Sequence, residues 1–298
     1  MILGLAVAVV LILGAGAAHA QLGIGQPANV RSIDVTIEDL DQISVVHEVS
    51  RGGSARYVEL IEGTVSDIEV VDDEGREVQH GVSEGFGGTT VAIFSGGEAF
   101  VKYTLSDVMH TKHDTTWSWP FLYTSTVTFH FPESVDLVFV NETPVYFEGA
   151  RSFNCHGCSA DLEFVPGEGR TAETATWDER EFEVEVWAST EIESFRFDQP
   201  SKSISYSFDD TERWVTLIIP QELLWGPYQA SFNGEKIFTH VFELDEGRHG
   251  VSLKLDGAGT ASITGASVVP EFPLVLPVLA VAVSAAILLR HRGVLSLR

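Results

Sequence analysis

The sequence predicts an all-β fold in which two tandem antiparallel β-sandwich domains lie between an N-terminal signal peptide and a C-terminal transmembrane helix. Three observations support this prediction. Helical periodicity is almost absent between residues 30 and 266, where alternating or β-branched runs recur about every 8 to 12 residues with turn residues between them. A glycine-rich break divides these runs into two series, and a long apolar stretch lies near each end of the chain.

The N-terminal apolar stretch is typical of a secretory signal peptide. Residues 1–20 become small near their end and close on Ala18, His19 and Ala20, the small-x-small pattern that a signal peptidase requires. We therefore expect cleavage after Ala20 and a mature chain that starts at Gln21. Because no Lys or Arg precedes the apolar run, an uncleaved N-terminal anchor is the alternative.

The first predicted domain, residues 21–170, contains the longer series of strand-like runs. Segments such as RGGS, DDEG and SGG separate these runs, and such turn-forming residues are typical of antiparallel sandwiches. The clearest runs are residues 43–49, 55–61, 67–71, 89–94 and 98–105.

Aromatic residues are concentrated in the segment MHTKHDTTWSWPFLY. On a strand, side chains two residues apart share a face, so Trp117, Trp119 and Phe121 would point the same way. An exposed face of this kind could be a platform for a carbohydrate or another ligand, with Trp117 and Trp119 stacking on sugar rings. We favour the other interpretation, a core strand whose aromatic face is buried.

Both cysteines of the chain lie in FNCHGC, residues 153–158. Outside the cytoplasm paired cysteines usually persist as a disulfide, so we expect a short-loop disulfide between Cys155 and Cys158. The alternative is a copper or zinc site, in which the two thiolates and His156 would supply three ligands. A thioredoxin-like redox pair is disfavoured because the residues after Cys158 form a strand pattern rather than a helix.

The segment before the tryptophans offers further ligands for such a metal site. Met109, His110 and His113 are soft or borderline donors of the kind that copper and zinc accept. Covalent haem attachment is excluded, since Ser159 rather than a histidine follows the second cysteine.

A break at Pro166-Gly167-Glu168-Gly169 separates the two series of strands. The second predicted domain, residues 171–268, contains Asn233-Gly234 between two strand-like runs. Because both residues tolerate positive φ, this pair predicts a type I′ hairpin turn. Pro220 is expected to start a single helical turn between strands.

The tail, residues 269–298, has the features of a membrane anchor. Eighteen uncharged residues run from Phe272 to Leu289, and Arg290 and Arg292 follow. At about 1.5 Å per residue, a helix of this length approaches the thickness of a hydrocarbon core. The arginines would keep the C-terminus cytoplasmic and place the preceding domains outside the cell.

Pro270, Glu271 and Phe272, the apolar run and the basic end occur together and in order. This arrangement resembles the PEF-CTERM class of archaeal sorting signals. The resemblance implies recognition by a membrane-embedded archaeosortase, cleavage near the motif and transfer to a lipid-type anchor. The run LIIPQELLWGPYQASFNGEKI is similar to the membrane-proximal β-domain that often precedes such tails, which supports a fold and assigns no chemistry.

The chain is strongly acidic, with 43 Asp and Glu against 18 Lys and Arg and a net charge of −25. This charge argues against nucleic acid or an anionic membrane surface as partners. It favours solubility in a salty medium or an affinity for calcium, although no D-x-D-x-D-G loop occurs.

Motifs of catalysis are missing from the sequence, which has no G-x-S-x-G, H-E-x-x-H or glycine-rich phosphate loop. We therefore name no catalytic residue and expect no enzyme and no resident cofactor. The expected function is that of a membrane-anchored cell-surface protein, structural or adhesive, with other envelope proteins or a polysaccharide as partners. The alternative is an extracytoplasmic metal-binding or redox protein that uses the Cys155–Cys158 turn.

Overall fold

The computed structural model describes residues 25–39, 42–85, 88–112, 116–167, 169–189, 192–208, 213–245 and 247–265, with 283, 284 and 287 besides. Between residues 25 and 265 the regular elements described are all strands. They are β1 (Gln26–Pro27), β2 (Val30–Asp39), β3 (Gln42–Val49), β4 (Arg56–Glu59), β5 (Thr64–Val71), β6 (His80–Gly85), β7 (Gly88–Ile93), β8 (Ala99–Ser106), β9 (His110–Lys112), β10 (Thr116–Leu122), β11 (Val127–His130), β12 (Leu137–Val140), β13 (Thr143–Tyr146), β14 (Ser152–Cys155), β15 (Ser159–Phe164), β16 (Gly169–Trp177), β17 (Arg180–Ala188), β18 (Ser194–Asp198), β19 (Ser203–Phe208), β20 (Arg213–Pro220), β21 (Gln229–Phe232), β22 (Glu235–Ile237), β23 (His240–Asp245), β24 (Arg248–Leu255) and β25 (Gly259–Thr264).

The strands form five sheets. Sheet A has the order β1-β4-β7-β6, and sheet B has the order β14-β11-β2-β3-β8-β5. Sheet C is β13-β12-β15-β10-β9, sheet D is β16-β17-β20-β24-β23, and sheet E is β18-β19-β25-β21-β22. Neighbouring strands are mostly antiparallel, with parallel pairs at β1–β4 and β2–β11. The prediction of an all-β protein is thereby confirmed, and the several packed sheets are consistent with β-sandwich architecture.

The described residues group into two compact units that interleave along the chain. Unit 1 takes its residues from 25–108, 122–131 and 152–159, and contains sheets A and B. Unit 2 takes its residues from 109–121, 132–151 and 160–265, and contains sheets C, D and E, apart from residues at strand ends. Both units contain residues that precede residue 170. The division into domains 21–170 and 171–268 therefore remains a prediction from the sequence.

In unit 1, strand alternation builds the core of sheet B. Along β3 every second side chain is buried, which places Ile43, Val45, His47 and Val49 in one inward row. The neighbouring strand β8 alternates in the same way. The sequence predicts these strands well because one face of each is apolar.

In unit 2, sheets D and E share one apolar core. Its buried members include Val186 and Leu217 from sheet D and Ile204, Tyr206 and Ile263 from sheet E. Two sheets held together through their inner faces make the packing expected of a sandwich.

The predicted hairpin turn is confirmed in sheet E. Asn233 and Gly234 have φ of 50° and 84° and connect β21 to β22, as a type I′ turn requires. The expected single helical turn is also present, since the Pro220 carbonyl accepts hydrogen bonds from the backbone N–H groups of Leu223 and Leu224.

A second apolar cluster in unit 2 joins sheets C and D. Its members are Leu137, Phe139, Trp187, Trp214, Ile218 and Leu244. The Phe139 and Trp214 rings stack with their centroids 3.8 Å apart. Sheet D therefore contributes side chains to two clusters, one shared with sheet E and one with sheet C.

The predicted signal peptide, the sorting motif and nearly all of the predicted transmembrane helix lie outside the described residues. Within the part of the chain that is described, no helix has the length and apolar character that crossing a membrane demands.

Replacing Gly250 with alanine should destabilise unit 2 by about 1–3 kcal/mol, because overpacking a filled site forces neighbours to move. A Cβ on Gly250 would lie 2.2 Å from the ring of Phe242 on the neighbouring strand. Phe242 also stacks on Tyr146, so its ring has little room to retreat. Urea denaturation measures the loss. In a Phe242→Ala background the same change should cost little; an equal cost in both backgrounds would contradict the steric explanation.

Candidate functional site

Cys155 and Cys158 form a disulfide in unit 1, with their sulfur atoms 2.14 Å apart. Cys155 is the last residue of β14, and Cys158 directly precedes β15. The residues after the second cysteine therefore form a strand, as the sequence predicts. Without a helix at this turn, the amide groups that lower a thiol pKa in thioredoxin-like sites have no counterpart here.

The turn between the cysteines is held by backbone and side-chain contacts. Gly157 has a φ of 54°, a left-handed conformation that glycine adopts without steric cost. The Tyr123 N–H donates a 2.8 Å hydrogen bond to the Cys158 carbonyl. Cys158 is fully buried, while His156 is exposed and its Nδ1 lies 2.7 Å from the Thr126 hydroxyl oxygen. The disulfide thus closes a structured turn.

The predicted metal ligands are placed as follows. The sulfur atoms of Cys155 and Cys158 are bonded to each other and so are not thiolates. His110 is exposed on β9, Met109 is half-buried just before it, and His113 lies outside the described residues. Among the residues that the structure describes, no group of three or more His, Cys, Asp or Glu is arranged to hold a metal ion. Binding of copper, zinc or calcium stays a prediction.

The two tryptophans of the candidate ligand platform differ in exposure. Trp119 is 3% exposed and packs edge-on against Phe121, with 5.1 Å between ring centroids. Trp117 is half-buried. A sugar ring stacks on an open aromatic face, so in this structure Trp117 offers more surface to such a ligand than Trp119 does.

A buried polar cluster lies close to the cysteine turn within unit 1. His47 is fully buried on β3, and its Nε2 lies 3.0 Å from the Tyr103 hydroxyl oxygen. The Tyr103 oxygen also accepts a hydrogen bond from the Ile61 N–H at 3.1 Å. The ring of Tyr123, whose backbone holds the cysteine turn, meets the His47 ring edge to face at 5.8 Å. Tyr123 in turn donates its hydroxyl hydrogen to the Glu59 carbonyl.

Burial governs the protonation of His47. The Tyr103 hydroxyl oxygen accepts from the Ile61 N–H, and His47 Nε2 shares a hydrogen bond with the same hydroxyl, as acceptor or donor according to its tautomer. Nδ1 is buried and has no hydrogen-bond partner among the described residues. Burial lowers the pKa of His47 to about 3, since a charged ring would be desolvated. His47 is therefore neutral at physiological pH.

Sequence reasoning overlooked His47, although the pattern contained a signal for it. In QISVVHEV the histidine is in register with Ile43, Val45 and Val49, at a position where alternation requires an inward side chain. A histidine in the apolar row of a strand predicts a buried neutral imidazole. Its partners Tyr103 and Tyr123 lie far away in the sequence and follow only from the fold.

Replacing Cys155 with serine and the buried Cys158 with alanine should destabilise unit 1 by about 2 kcal/mol, the loop-entropy estimate for so short a loop. Thermal unfolding, with hydrogen exchange in β11 and β14 to locate the effect, measures the change. We expect the melting temperature of unit 1 to fall by several degrees and that of unit 2 to stay the same.

His156→Ala is the control for the disulfide variant, because His156 lies on the same turn and is exposed. It should have almost no effect. The opposite result would be a chelator that lowers the melting temperature of the wild type but not that of His156→Ala. It would overturn the disulfide interpretation and favour a metal site.

Pro270, Glu271 and Phe272 of the sorting motif lie outside the described residues, so their role stays a prediction. No protein-family model matches the chain, and a comparison with curated proteins finds no match.

Proposed function

We propose that this protein is a membrane-anchored cell-surface protein with a structural or adhesive role. Two β-sandwich domains would lie outside the cell after removal of the signal peptide. The observation that carries the proposal is the disulfide between Cys155 and Cys158. Structural disulfides persist outside the reducing cytoplasm, and residues 1–20 have the character of a segment that directs export.

The tail would attach the protein to the membrane. Pro270, Glu271 and Phe272 would be the recognition element of an archaeosortase, which would cleave near the motif and attach a lipid. Without processing, the run from Phe272 to Leu289 would itself span the bilayer. Both outcomes leave the described units outside the cell and close to its membrane.

A structural or adhesive role fits the character of the described units. They consist of strands joined by turns, and the acidic chain keeps such surfaces soluble in a salty medium. The proposed partners are other envelope proteins or a polysaccharide.

Cell fractionation with sequencing of the mature N-terminus tests this proposal. We expect the protein in the membrane fraction, starting at Gln21, and resistant to thiol reagents until it is reduced. Ala18→Asp, which disrupts the small-x-small pattern, should retain the N-terminal segment. Intact protein in the cytoplasm with Met1 retained would overturn the proposal.

Replacing Pro270, Glu271 and Phe272 together by alanine tests the processing step. The variant should keep its C-terminal segment and migrate as a larger species, while the wild type loses it. The conservative change Leu276→Ile within the apolar run is the control. If the wild type keeps Arg298 in its mature form, the archaeosortase proposal fails and the transmembrane anchor remains.

A further inference from the structure

The continuous described part of unit 2 ends at Gly265, directly after β25, the central strand of sheet E. Thr264, the last residue of β25, pairs with Ser203 on one side and with Gln229 on the other. The next residue, Gly265, donates its N–H to the Lys202 carbonyl at 3.1 Å. Thr264 and Gly265 are therefore held at one end of the sheet, which we name the exit end because the chain continues from it toward the tail.

Trp225 lies beside this exit. A Cβ on Gly265 would be 2.8 Å from the Trp225 carbonyl oxygen and 2.5 Å from Leu224 Cγ, so the glycine packs directly against this loop. The loop is held in place because Leu224 is fully buried and its carbonyl accepts a 2.8 Å hydrogen bond from the Tyr228 hydroxyl. The Trp225 side chain is nevertheless 47% exposed. A rigid loop thus presents a large aromatic side chain to the surroundings.

Three turns lie at the same end of unit 2. The first turn joins β18 to β19, where Asp198 is the strand partner of Ser203. Gln199 in this turn exchanges hydrogen bonds with Asp178, which lies in the second turn, between β16 and β17. Gln221 donates its N–H to the carbonyl of Gly247, in the turn between β23 and β24. These turns and the Trp225 loop form one surface, which we name the exit surface.

Several charged side chains of the exit surface form ion pairs, while Asp178 and Glu179 in the turn between β16 and β17 add negative charge. Arg180 forms an ion pair with Glu222, and Arg248 forms one with Asp245 at 2.5 Å. Lys202 adds a further cation beside the exit. These ion pairs and Lys202 offset part of the negative charge at this end of unit 2.

Only six residues, 266–271, separate Gly265 from the apolar run that starts at Phe272. Fully extended, this stretch reaches at most about 25 Å. We propose that the exit surface lies on the lipid bilayer and that Trp225 inserts into its interfacial layer. This inference rests on the proposed membrane anchoring of the tail and goes beyond it by naming the face that contacts lipid.

The chemistry of tryptophan fits this position. Its ring is apolar while its indole N–H donates a hydrogen bond, and tryptophan is enriched where hydrocarbon meets water. Insertion of Trp225 would add a second attachment point and fix the orientation of unit 2 on the membrane.

Quenching of a fluorescent label by nitroxide-labelled lipid tests the proposal. The full chain is reconstituted in vesicles whose lipids carry the nitroxide near the headgroup. The two native cysteines are joined, so a fluorescent maleimide reports from one introduced cysteine. Trp225→Cys places the label at the proposed contact, and Glu222→Cys repeats the measurement in the same loop with Trp225 intact. Ala258→Cys, exposed before the start of β25, is the matched control at the opposite end of that strand. Ser284→Cys reports on the anchor.

We expect lipid to quench the labels at 225, 222 and 284 and to leave the label at 258 bright. Quenching at 284 with a bright label at both 225 and 222 would overturn the contact of the exit surface and leave the anchor standing. A bright label at 284 would overturn the anchor and this inference with it. Equal quenching at 225 and 258 would also overturn the proposal, since unit 2 would then have no preferred end on the bilayer.

Discussion

Replacing His47 with glutamine should remove a large part of the acid sensitivity of unit 1. The pKa of His47 is about 3 in the folded protein because the ring is buried, against an ordinary value of 6.5. Below pH 6.5 the unfolded chain binds a proton that the folded chain excludes, so the free energy of unfolding falls as the pH falls. A difference of one bound proton changes the free energy of unfolding by about 1.4 kcal/mol per pH unit, which amounts to roughly 5 kcal/mol between pH 6.5 and 3.

The residues around His47 do not titrate in this range. Burial raises the pKa of Tyr123 to about 12 and raises that of Tyr103 still further. Glutamine keeps an acceptor for the Tyr103 hydroxyl and carries no titratable group. The part of the wild-type slope that comes from His47 should therefore disappear in His47→Gln, while Asp72, whose pKa is lowered by hydrogen bonds from Arg76, still contributes. We expect this even though the variant is less stable at neutral pH.

Urea denaturation between pH 4 and 7, with hydrogen exchange in β3 to assign the transition, measures this slope. His130→Gln is the matched control, since His130 is half-exposed and bonds Asp34 at 3.0 Å in the same unit. The control should keep the slope associated with His47. An unchanged slope in His47→Gln would show that the acid sensitivity has another source.

Replacing Glu163 with glutamine should destabilise unit 2 by roughly 2–3 kcal/mol, because breaking a buried ion pair leaves its partner uncompensated. Glu163 is 5% exposed, binds Lys112, and accepts a 2.7 Å hydrogen bond from Trp214 Nε1. Burial raises the pKa of Glu163, but the hydrogen bonds from Lys112 and Trp214 outweigh it and hold the pKa below its ordinary value. The stability that the Glu163 carboxylate contributes is present at neutral pH and is lost as the carboxylate is protonated in acid.

The matched control for Glu163 is Glu142→Gln in the same unit. Glu142 also pairs with a lysine, Lys254, but its side chain is largely exposed, so its loss should change little. Urea denaturation at pH 7 compares the two variants. Equal effects would contradict the assignment of stability to the buried pair.

Local patterns predict local structure in this chain. Alternation locates β3 and β8, and Asn233-Gly234 locates the hairpin between β21 and β22, because each feature depends on neighbours in the sequence. The grouping into two interleaved units depends on pairings between distant strands, such as β2 with β11, which no local pattern specifies. Periodicity also misses Ser118, which is buried beside the tryptophans and bonds Asp161.

The candidate site was predictable to the same extent. The disulfide between Cys155 and Cys158 could be predicted from their separation of three residues and from the expected location outside the cytoplasm, since residues so close in sequence can meet in a tight turn. The contact from Tyr123 to the turn and to His47 joins three separate strand regions. A contact of this kind requires the tertiary fold.

Labelling of intact cells with a membrane-impermeant amine reagent tests the central claim, that the described units lie outside the cell, most directly. Lys236 is exposed on β22 and reports for unit 2, while a cytoplasmic protein serves as the control for intact membranes. If the units face outward, Lys236 is modified to the same extent before and after lysis. Modification of Lys236 only after lysis would contradict the claim.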